Sequence, residues 1–310
     1  MIILGSSDTG ALNYLKLLNN FKEKKLTYLL NKKKIKKLSA LKKDIKLVIT
    51  GSAQGNSLDK KLINFAKSRK IFSISVIEHW TNYKSRFFFK NKSYFPDLIF
   101  VNDSIAYEEA IKEGLPKKKL KVMGNVYFEK LAKKKINNRL SKWAKNIKKK
   151  YKRVIIFISE QIKSDNYIKK EYGSDEFETI KKIKKTINVD DLLIIKCHPG
   201  ERVEKFFQFK DKNTIVKKKI TYPDLINMPS KIIGIKSNLI LELSLFRNDI
   251  ISYRPNKDKT FVGERLKVTK LVRNKLNYFI NLKNINNRNT FKKYFIGSSK
   301  KIENFIKKRF

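Results

Sequence analysis

The chain has 310 residues, of which 41% are hydrophobic, 33% charged and 12% aromatic. This length predicts two domains, and the apolar and aromatic content excludes an intrinsically disordered chain. The formal net charge of +45 comes from 73 Lys and Arg against 28 Asp and Glu. A surface this basic attracts nucleic acid, anionic lipid or phosphorylated ligands, but drift of an AT-rich genome toward lysine produces the same excess.

A single cysteine, Cys197, excludes an internal disulfide framework and indicates a reducing compartment. The first residues, MIILGSSDTG, lack the basic and apolar regions of a signal peptide, and no apolar stretch reaches the ~18–20 residues of a membrane span. We therefore expect a cytoplasmic protein, which its charge could also hold peripherally at the inner face of the cell membrane. Because the lysines are spread over every predicted helix, the pattern does not favour nucleic acid.

Short β-branched runs alternate with amphipathic, lysine-rich segments along the first part of the chain. The predicted strands are Ile2–Leu4, Thr27–Leu30, Ile45–Thr50, Ile71–Ile77, Leu98–Asn102 and Leu120–Met123. Apolar strands that alternate with helices are typical of a parallel sheet covered on both faces. We assign residues 1–132 to an N-terminal Rossmann-like domain.

Residues 133–152 are dense in charge and interrupt this alternation, which predicts a helix and a linker. The alternation then restarts, with strands at Val154–Ser159, Leu192–Cys197, Asn213–Val216, Lys231–Ile235 and Asp249–Tyr253, and helices at Asp175–Ile187 and Asn238–Phe246. We assign residues 153–255 to a second Rossmann-like domain. Residues 256–310 read as a polar helical tail that crosses back to the first domain.

The carboxyl ends of parallel strands are where such sheets bind ligands, and the candidate residues follow these ends. After the first strand, Gly5, Ser6 and Ser7 form a turn that either cradles an anion or sugar at a helix N-terminus or simply caps the helix. The loop after Thr50 is polar and is equally consistent with a ligand-lining loop or a plain one.

The fourth strand ends in Glu78 and His79, a carboxylate and an imidazole that together suit a general base. A wall formed by Trp80 would raise the pKa of Glu78 by desolvation. Arg86 follows and could meet an acceptor or a phosphate. The alternative is a surface loop with Trp80 packed inward.

In LLIIKCHPGE, a buried strand stops at one of only two histidines. Pro199 fixes φ and the next glycine frees the chain, which aims the imidazole of His198 into a cleft where it could donate to a phosphate. The alternative is a residue that merely ends a strand. Adjacent strand residues point to opposite faces, so Cys197 should lie in the core.

The last strand–helix unit carries the other candidates. Ser237 caps a helix that begins at Asn238, and the capping hydroxyl with the free N–H groups there form an anion site. Glu242 is the single acid in this apolar helix. A buried carboxylate needs partners, which are either ribose hydroxyls or a nearby Lys or Tyr.

Four stretches carry a resemblance to a known superfamily. They are PDLIFVNDSIAYEEAIKEGLPKKKLKVMGNVYFEKL, RVIIFISEQ, LIIKCHPGE and KIIGIKSNLILELSLFRNDIISYRP. The first resembles the end of the N-terminal domain of GT-B-fold enzymes, and the others resemble strand–loop units of their C-terminal domain. This superfamily includes glycosyltransferases and non-hydrolysing UDP-N-acetylglucosamine 2-epimerases. The chain departs from the pattern at Val126, where proline is usual, and it lacks the Asp-Asp-Gly or Glu-Asp-Gly motif of sialyltransferase-like members.

The resemblance implies an α/β fold with two Rossmann-like parallel-sheet domains facing a cleft. It also implies a glycosyltransferase that moves a sugar from a nucleotide-sugar donor to a cell-surface polysaccharide or lipopolysaccharide, meaning a glycan or lipid-linked acceptor. Glu78 or His79 would deprotonate the acceptor, while Ser159, Glu160 and His198 would hold the donor phosphates. No cofactor and no metal are expected.

Other functions stay open. A non-hydrolysing UDP-sugar 2-epimerase would need no acceptor, and a basic nucleic-acid-binding protein would show a steep salt dependence instead of nucleotide-sugar binding. An inactive scaffold of the same fold is a further alternative.

Overall fold

The computed structural model of the chain describes residues 1–18, 26–30, 44–163, 166–256, 261–276, 280, 291 and 293–309. The chain forms two compact units. Unit 1 comprises Met1–Lys133 with Phe295–Phe310, and unit 2 comprises Lys134–Tyr294. Within the described residues, no helix has both the length and the apolar character needed to cross a membrane.

Unit 1 contains a parallel sheet with the strand order β2-β1-β3-β4-β7-β8. Its strands are β1 Ile2–Gly5, β2 Leu26–Leu30, β3 Leu47–Thr50, β4 Phe72–Ile77, β7 Leu98–Val101 and β8 Leu120–Val122. A short antiparallel hairpin joins β5 Phe88–Phe89 to β6 Lys92–Ser93. Because the strand order reverses between β1 and β3, the loops after these two strands flank the switch point where such sheets bind ligands.

The helices of unit 1 cover both faces of its sheet. They are α1 Thr9–Leu18, α2 Leu58–Ser68, α3 Tyr83–Phe87, α4 Ser104–Lys112, α5 Val126–Lys133 and the C-terminal helix, which we label α12, Ser298–Arg309. Alternate residues of one strand point to opposite faces. Thus Ile2 and Leu4 of β1 pack with apolar residues of α1, α5 and α12, while Ile3 packs with α2.

A close approach fastens α12 to the end of β8. Gly124 has a φ of 86°, and a Cβ atom at this position would lie 2.1 Å from Ser298 Oγ. Glu129 of α5 accepts hydrogen bonds from the N–H groups of Gly297 (3.0 Å) and Ser299 (2.7 Å). The end of the chain is therefore an integral part of unit 1.

Unit 2 contains a second parallel sheet, with the order β11-β10-β9-β12-β13-β14. Its strands are β9 Arg153–Ile158, β10 Asp191–Lys196, β11 Thr214–Lys217, β12 Lys231–Gly234, β13 Ile250–Tyr253 and β14 Lys270–Val272. This is the doubly wound order of a Rossmann-like domain, with its switch point between β9 and β12. The two Rossmann-like sheets agree with the α/β fold class that the sequence predicts.

The helices of unit 2 are α6 Lys142–Lys150, α7 Asn166–Tyr172, α8 Glu176–Lys184, α9 Tyr222–Asn227, α10 Asn238–Ser244 and α11 Val262–Arg265. Short 3₁₀ helices occur at Lys117–Lys119 in unit 1 and at Val203–Phe209 in unit 2. Asp175 begins α8 with a capping box that includes Glu178. Cys197 is fully buried in the core of this unit, as its place after a strand predicts.

One segment differs from the sequence-based description of the chain. Residues 133–152, predicted as a helix and a linker, contain α6, whose N-terminus is capped by Ser141 and whose residues Ala144 and Ile147 are buried in unit 2. The expected helical tail, residues 256–310, contains the edge strand β14 and is divided between the two units. β14 has only three residues, and so short a strand leaves little alternation to detect.

Candidate active site

The turn after β1 is fastened to α2 at the carboxyl edge of the unit 1 sheet. Ser6 Oγ donates to Asp59 Oδ1 at 2.7 Å, and the Ser7 N–H donates to Asp59 Oδ2 at 2.9 Å. Ser7 Oγ in turn accepts from the first N–H of α2 at 2.8 Å. The hydroxyl groups of the turn that begins at Gly5 are thus hydrogen-bonded within the protein, and the next residue, Asp8, faces the site.

Three ionisable side chains converge above the start of α1. Glu78 directly follows β4, its side chain is only 7% exposed, and His79 Nε2 lies 3.3 Å from its Oε1. Asp8 completes a cluster in which one ligand atom from each residue lies within 4.8 Å of the others. A Cβ atom at Gly10 would lie 3.0 Å from Asp8 Oδ1, 3.5 Å from Glu78 Oε1 and 3.8 Å from His79 Nε2. The Asp8–Glu78–His79 cluster therefore surrounds a space that a glycine leaves open.

The backbone that carries Glu78 and His79 is held by two asparagines from neighbouring strand ends. Asn125 Nδ2 donates to the Glu78 carbonyl at 3.4 Å and to Asn102 Oδ1 at 3.0 Å. Asn102 Nδ2 donates to the His79 carbonyl at 3.4 Å. The ends of β7 and β8 thereby position the residues that follow β4.

Trp80 is packed inward, with 5% of its surface exposed. Its ring meets those of Phe128 and Phe295 edge-on, at centroid distances of 5.6 and 6.2 Å. Its Nε1 donates to Asp103 Oδ2 at 2.5 Å. This anchor, foreseen as an alternative from the sequence, fixes the loop without removing Glu78 and His79 from the strand end.

The carboxyl group of Glu78 has an unusual environment for a buried acid. Neither of its oxygens has a hydrogen-bond partner. Burial pushes the pKa of Glu78 up, but the adjacent His79 and the charge of Arg86 outweigh burial, so the pKa lies below its usual value. Glu78 is therefore a buried carboxylate, and not the neutral acid that desolvation alone would give.

Arg86 lies in α3, and its guanidinium is hydrogen-bonded within the protein. Nε donates to the Thr81 carbonyl at 3.1 Å, and Nη1 donates to the Ser52 carbonyl and hydroxyl at 3.2 and 3.4 Å. The residue is 7% exposed. Arg86 thus ties the loop after β3 to α3 and contributes positive charge near Glu78.

In unit 2, Glu160 spans the switch point of the sheet. Its Oε1 accepts from the N–H groups of Ile235 (3.3 Å), Lys236 (2.7 Å) and Ser237 (2.6 Å). Burial raises the pKa of Glu160 to about 7, against the lowering effect of these three hydrogen bonds. The amides expected to bind phosphate before α10 are therefore occupied by a carboxylate from the loop after β9.

His198 is exposed at the end of β10, in a turn with Pro199 and Gly200 that are exposed as well. The Gly200 N–H donates to His198 Nδ1 at 3.1 Å, so the neutral imidazole carries its proton on Nε2. Partial desolvation lowers the pKa of His198, and the nearby lysines add to the effect. The side chain is thus a neutral donor at physiological pH.

A buried ionic network joins the loops after β9 and β10. Glu201, 2% exposed, accepts from Ser159 Oγ (3.1 Å), from the His198 N–H (2.8 Å) and from Lys205 Nζ (2.6 Å). Lys205 Nζ also bonds Glu176, which accepts from two N–H groups of the loop after β9. This network holds Ser159 and His198 in one arrangement.

The candidates on α10 are bonded locally. Ser237 Oγ accepts from the Leu239 N–H at 3.2 Å, which is the capping role expected for it. Asn238 is the first residue of α10. Glu242 accepts a hydrogen bond from the hydroxyl of Tyr222, which is the structural alternative to a ribose contact.

The predicted residues therefore fall into two groups, one at the carboxyl edge of each sheet. Unit 1 carries Gly5, Ser6, Ser7, Glu78, His79 and Arg86, and unit 2 carries Ser159, Glu160, His198, Pro199, Ser237, Asn238 and Glu242. Sequence reasoning missed Asp8, Glu176, Glu201 and Lys205. Two local signals existed: Asp8 stands where a residue caps the start of α1, and Glu201 and Lys205 are four residues apart.

Comparison with known proteins gives similarity of fold without similarity of sequence. No model of a known protein family matches the chain, and no curated protein matches it. The Staphylococcus aureus MnaA–UDP co-structure has 16% identity and a TM-score of 0.64, covering 99% of this chain and 95% of that one. The UDP-GlcNAc 2-epimerase of Methanocaldococcus jannaschii has 15% identity and a TM-score of 0.61, covering 99% of both chains. Anabaena Alr3699/HepE in complex with UDP and glucose has 12% identity and a TM-score of 0.62, covering 100% and 95%.

These similarities correct the function inferred from the sequence. The glycosyltransferase assignment is wrong, because structures similar along almost the whole chain include UDP-GlcNAc 2-epimerases, the enzyme class named as the alternative. The short sequence motifs could not distinguish glycosyltransferases from 2-epimerases, because the strand–loop units that contain these motifs occur in both enzyme classes. The chain has the GT-B-like fold of these epimerases.

Proposed function

We propose that the chain is a UDP-sugar 2-epimerase. The observation that carries the proposal is the buried Glu78 carboxylate, with neither oxygen hydrogen-bonded, beside His79 at the carboxyl edge of the sheet. The similarity in fold to UDP-GlcNAc 2-epimerases supports the substrate class. Such a reaction needs no acceptor, and nothing about Arg86 or the Gly5 turn requires one.

Inverting C2 of a UDP-sugar breaks the C2–H bond on one face and forms a new one on the opposite face. A protein group takes the C2 proton, and the electron pair of that bond forms a C1–C2 double bond as the C1–O bond to UDP breaks. The reverse addition, of UDP to C1 and of a proton to the opposite face of C2, restores every atom. Glu78 is ionised at neutral pH because its pKa is lowered, so it can accept a proton. His79 Nε2, 3.3 Å from Glu78 Oε1, is placed to exchange that proton with solvent.

The nucleotide diphosphate belongs, in this proposal, at the carboxyl edge of the unit 2 sheet. His198 is exposed and carries its proton on Nε2, so it can donate to a phosphate oxygen. The network of Glu201, Lys205 and Ser159 holds the two adjoining loops before any ligand arrives. A preformed site avoids ordering these loops on binding.

The test is hydrogen exchange at C2. The purified protein is incubated in D₂O with each of several UDP-sugars, with EDTA present and no acceptor added. We expect NMR to show one UDP-sugar converted to its C2 epimer with deuterium at C2. If every UDP-sugar keeps both its configuration and its C2 proton, the proposal is wrong.

Two variants and a control sharpen this assay. Glu78→Gln should lower exchange by about 10²–10⁴-fold while UDP still binds, because it removes only the proton acceptor. Gly10→Ala should fold as well as wild type, since Ala favours helix by roughly 0.5–1 kcal/mol, yet its Cβ fills the space in front of the cluster. Glu108→Gln, at an exposed position on α4, is the matched control and should leave exchange unchanged. Exchange by Glu78→Gln at the wild-type rate would remove Glu78 from the mechanism.

A further inference from the structure

We propose that the Asp8–Glu78–His79 cluster binds one Zn²⁺ ion. The sequence predicts no metal site, because the two histidines, His79 and His198, lie far apart and no Asp-x-Asp motif ends a strand. Asp8 is likewise distant along the chain from the Glu78–His79 pair. The fold brings them together at the carboxyl edge of the unit 1 sheet, where β1 and β4 both end with β3 between them. The inference goes beyond the proposed epimerase function and does not depend on it.

The distance between the Glu78 and His79 ligand atoms matches that of two ligands on one metal ion. Glu78 Oε1 and His79 Nε2 are 3.3 Å apart, and Oε1 accepts no hydrogen bond at that distance. Two ligand atoms at about 2.0–2.2 Å from a tetrahedral Zn²⁺ ion are separated by roughly 3.4 Å. The pair is therefore spaced as neighbouring zinc ligands, without the alignment of a hydrogen bond.

The donor set suits zinc and leaves it a free coordination position. One imidazole nitrogen and two carboxylate oxygens offer three protein ligands, within 4.8 Å of one another. Three protein ligands with a fourth, open position are typical of zinc sites that bind a water or substrate. Two carboxylates and a neutral imidazole also carry the charge that neutralises a divalent cation.

Glu78 supplies an independent indication of a ligand. Its side chain is 7% exposed, and neither carboxylate oxygen has a hydrogen-bond partner. A buried ionised carboxylate that accepts no hydrogen bond is unfavourable, and coordination of a metal ion is one of the ways proteins satisfy it.

Gly10 provides room for the ion. An added Cβ atom would lie 3.0–3.8 Å from one atom of each of the three residues. The three atoms therefore border a common space, and Asp8 Oδ1 is fixed there by the N–H groups of Gly10 (2.7 Å) and Ala11 (3.1 Å), which it caps. A bound ion there would engage Glu78, so zinc should inhibit the C2 exchange proposed above.

The experiment measures the metal alone, with no sugar present. The full chain is stripped with EDTA, exchanged into metal-free buffer and titrated with ZnCl₂ by calorimetry. We expect saturation at one ion per chain. Substituted Co²⁺ should show the visible absorption bands of a four-coordinate site with N and O ligands.

The two histidines of the chain give a matched pair of variants. His79→Gln and Asp8→Asn should weaken zinc binding by at least about 100-fold, since even residues that only support a ligand contribute 10–100-fold. His198→Gln should leave it unchanged, although His198 adjoins Cys197, the other residue able to attract zinc. Circular dichroism and thermal unfolding without metal confirm that each variant is folded.

Two results would overturn the proposal: no saturable binding at one ion per chain, or binding that His198→Gln removes and His79→Gln leaves intact. Because the exchange assay contains EDTA and the titration contains no sugar, failure of one proposal is distinguishable from failure of the other.

Discussion

The number of hydrogen bonds accepted by Glu129, Glu160 and Glu78 separates carboxylates that stabilise the fold from one that is available to a ligand. Glu129 accepts from the N–H groups of Gly297 and Ser299 and pairs with Lys133, and Glu160 accepts from three amides. Glu78 is comparably buried but accepts no hydrogen bond. Since a buried charge is unfavourable unless hydrogen bonds or ion pairs satisfy it, Glu78, which among the described residues has only the ion pair with His79, points to function rather than stability.

At the residue scale, the proposed contact between His198 and the diphosphate predicts that nucleotide binding depends on pH. The pKa of His198 in the free protein lies below the usual 6.5, because of partial desolvation and nearby lysines. A bound diphosphate favours the imidazolium form and raises this pKa, so affinity for a UDP-sugar should increase as pH falls through the pKa of the bound state. We expect affinity about fivefold higher at pH 5.5 than at pH 8, the difference between a charged and a neutral hydrogen bond.

Calorimetric titration with a UDP-sugar across this pH range measures the effect. His198→Gln should bind with an affinity that is nearly independent of pH. A wild-type affinity that is flat over the range would mean that His198 does not contact the diphosphate.

At the element scale, strand order groups the candidate residues at the carboxyl edge of each sheet, and the last helix completes unit 1. Residues that follow β1, β4, β9, β10 and β12 carry the ionisable candidates, because all strands of a parallel sheet end at the same edge. The last helix, α12, is anchored at its N-terminus by Glu129 of α5. Isolated helices of this length are marginal in water, so docking must supply its stability.

Glu129→Gln should therefore loosen α12. The pKa of Glu129 is lowered: burial raises it, but the hydrogen bonds from Lys133, Ser299 and Gly297 prevail. Its contribution to stability is thus present above the unfolded-state pKa near 4.5 and is lost as pH falls through the lower folded-state value. We expect a loss of about 2–3 kcal/mol at pH 7 in urea unfolding, which fades in acid.

Limited proteolysis gives a second measurement of the same effect, because a loosened α12 should be released first. Glu303→Gln, on α12 itself and paired with Lys307 at 3.0 Å, is the matched control. This partly exposed pair should contribute under about 0.5 kcal/mol. Equal stability losses in the two variants would contradict the anchoring role of Glu129.

At the scale of the whole molecule, the net charge of +45 favours association with any polyanion. The last turn of a helix contains lysine in both units, so both units carry the charge. These helices are α2, α4, α5, α6, α8 and α12. Such dispersed charge fits compositional drift better than a surface selected for membranes. Its effects should then be screened by salt like those of any exposed charges.

We expect binding to vesicles of anionic lipid at ~10 mM salt and none at ~150 mM, because the Debye length falls from about 30 to 8 Å. Co-sedimentation with vesicles measures this, and neutral vesicles are the control. Retention at the higher salt concentration would indicate a dedicated membrane-binding surface.

The sequence by itself determined most helices and strands, and it placed the candidate residues at the carboxyl edges of the two sheets. Runs such as LVIT and LLIIK, and the Asp175 cap with Glu178, are local patterns whose physics acts over a few residues. They were sufficient to predict two parallel sheets, and Glu78, His79 and His198 as residues that follow strands. The three-residue strand β14 lay below the length at which alternation becomes a signal.

Only the tertiary structure decided which residues meet. Asp8 with Glu78, Glu160 with the amides before α10, and Glu201 with Ser159 are contacts between segments distant in the chain, and no local pattern encodes such distances. The proposed enzyme class rests on the same level. Transferases and epimerases of this fold share their strand–loop units, so similarity along the whole chain was needed to favour one over the other.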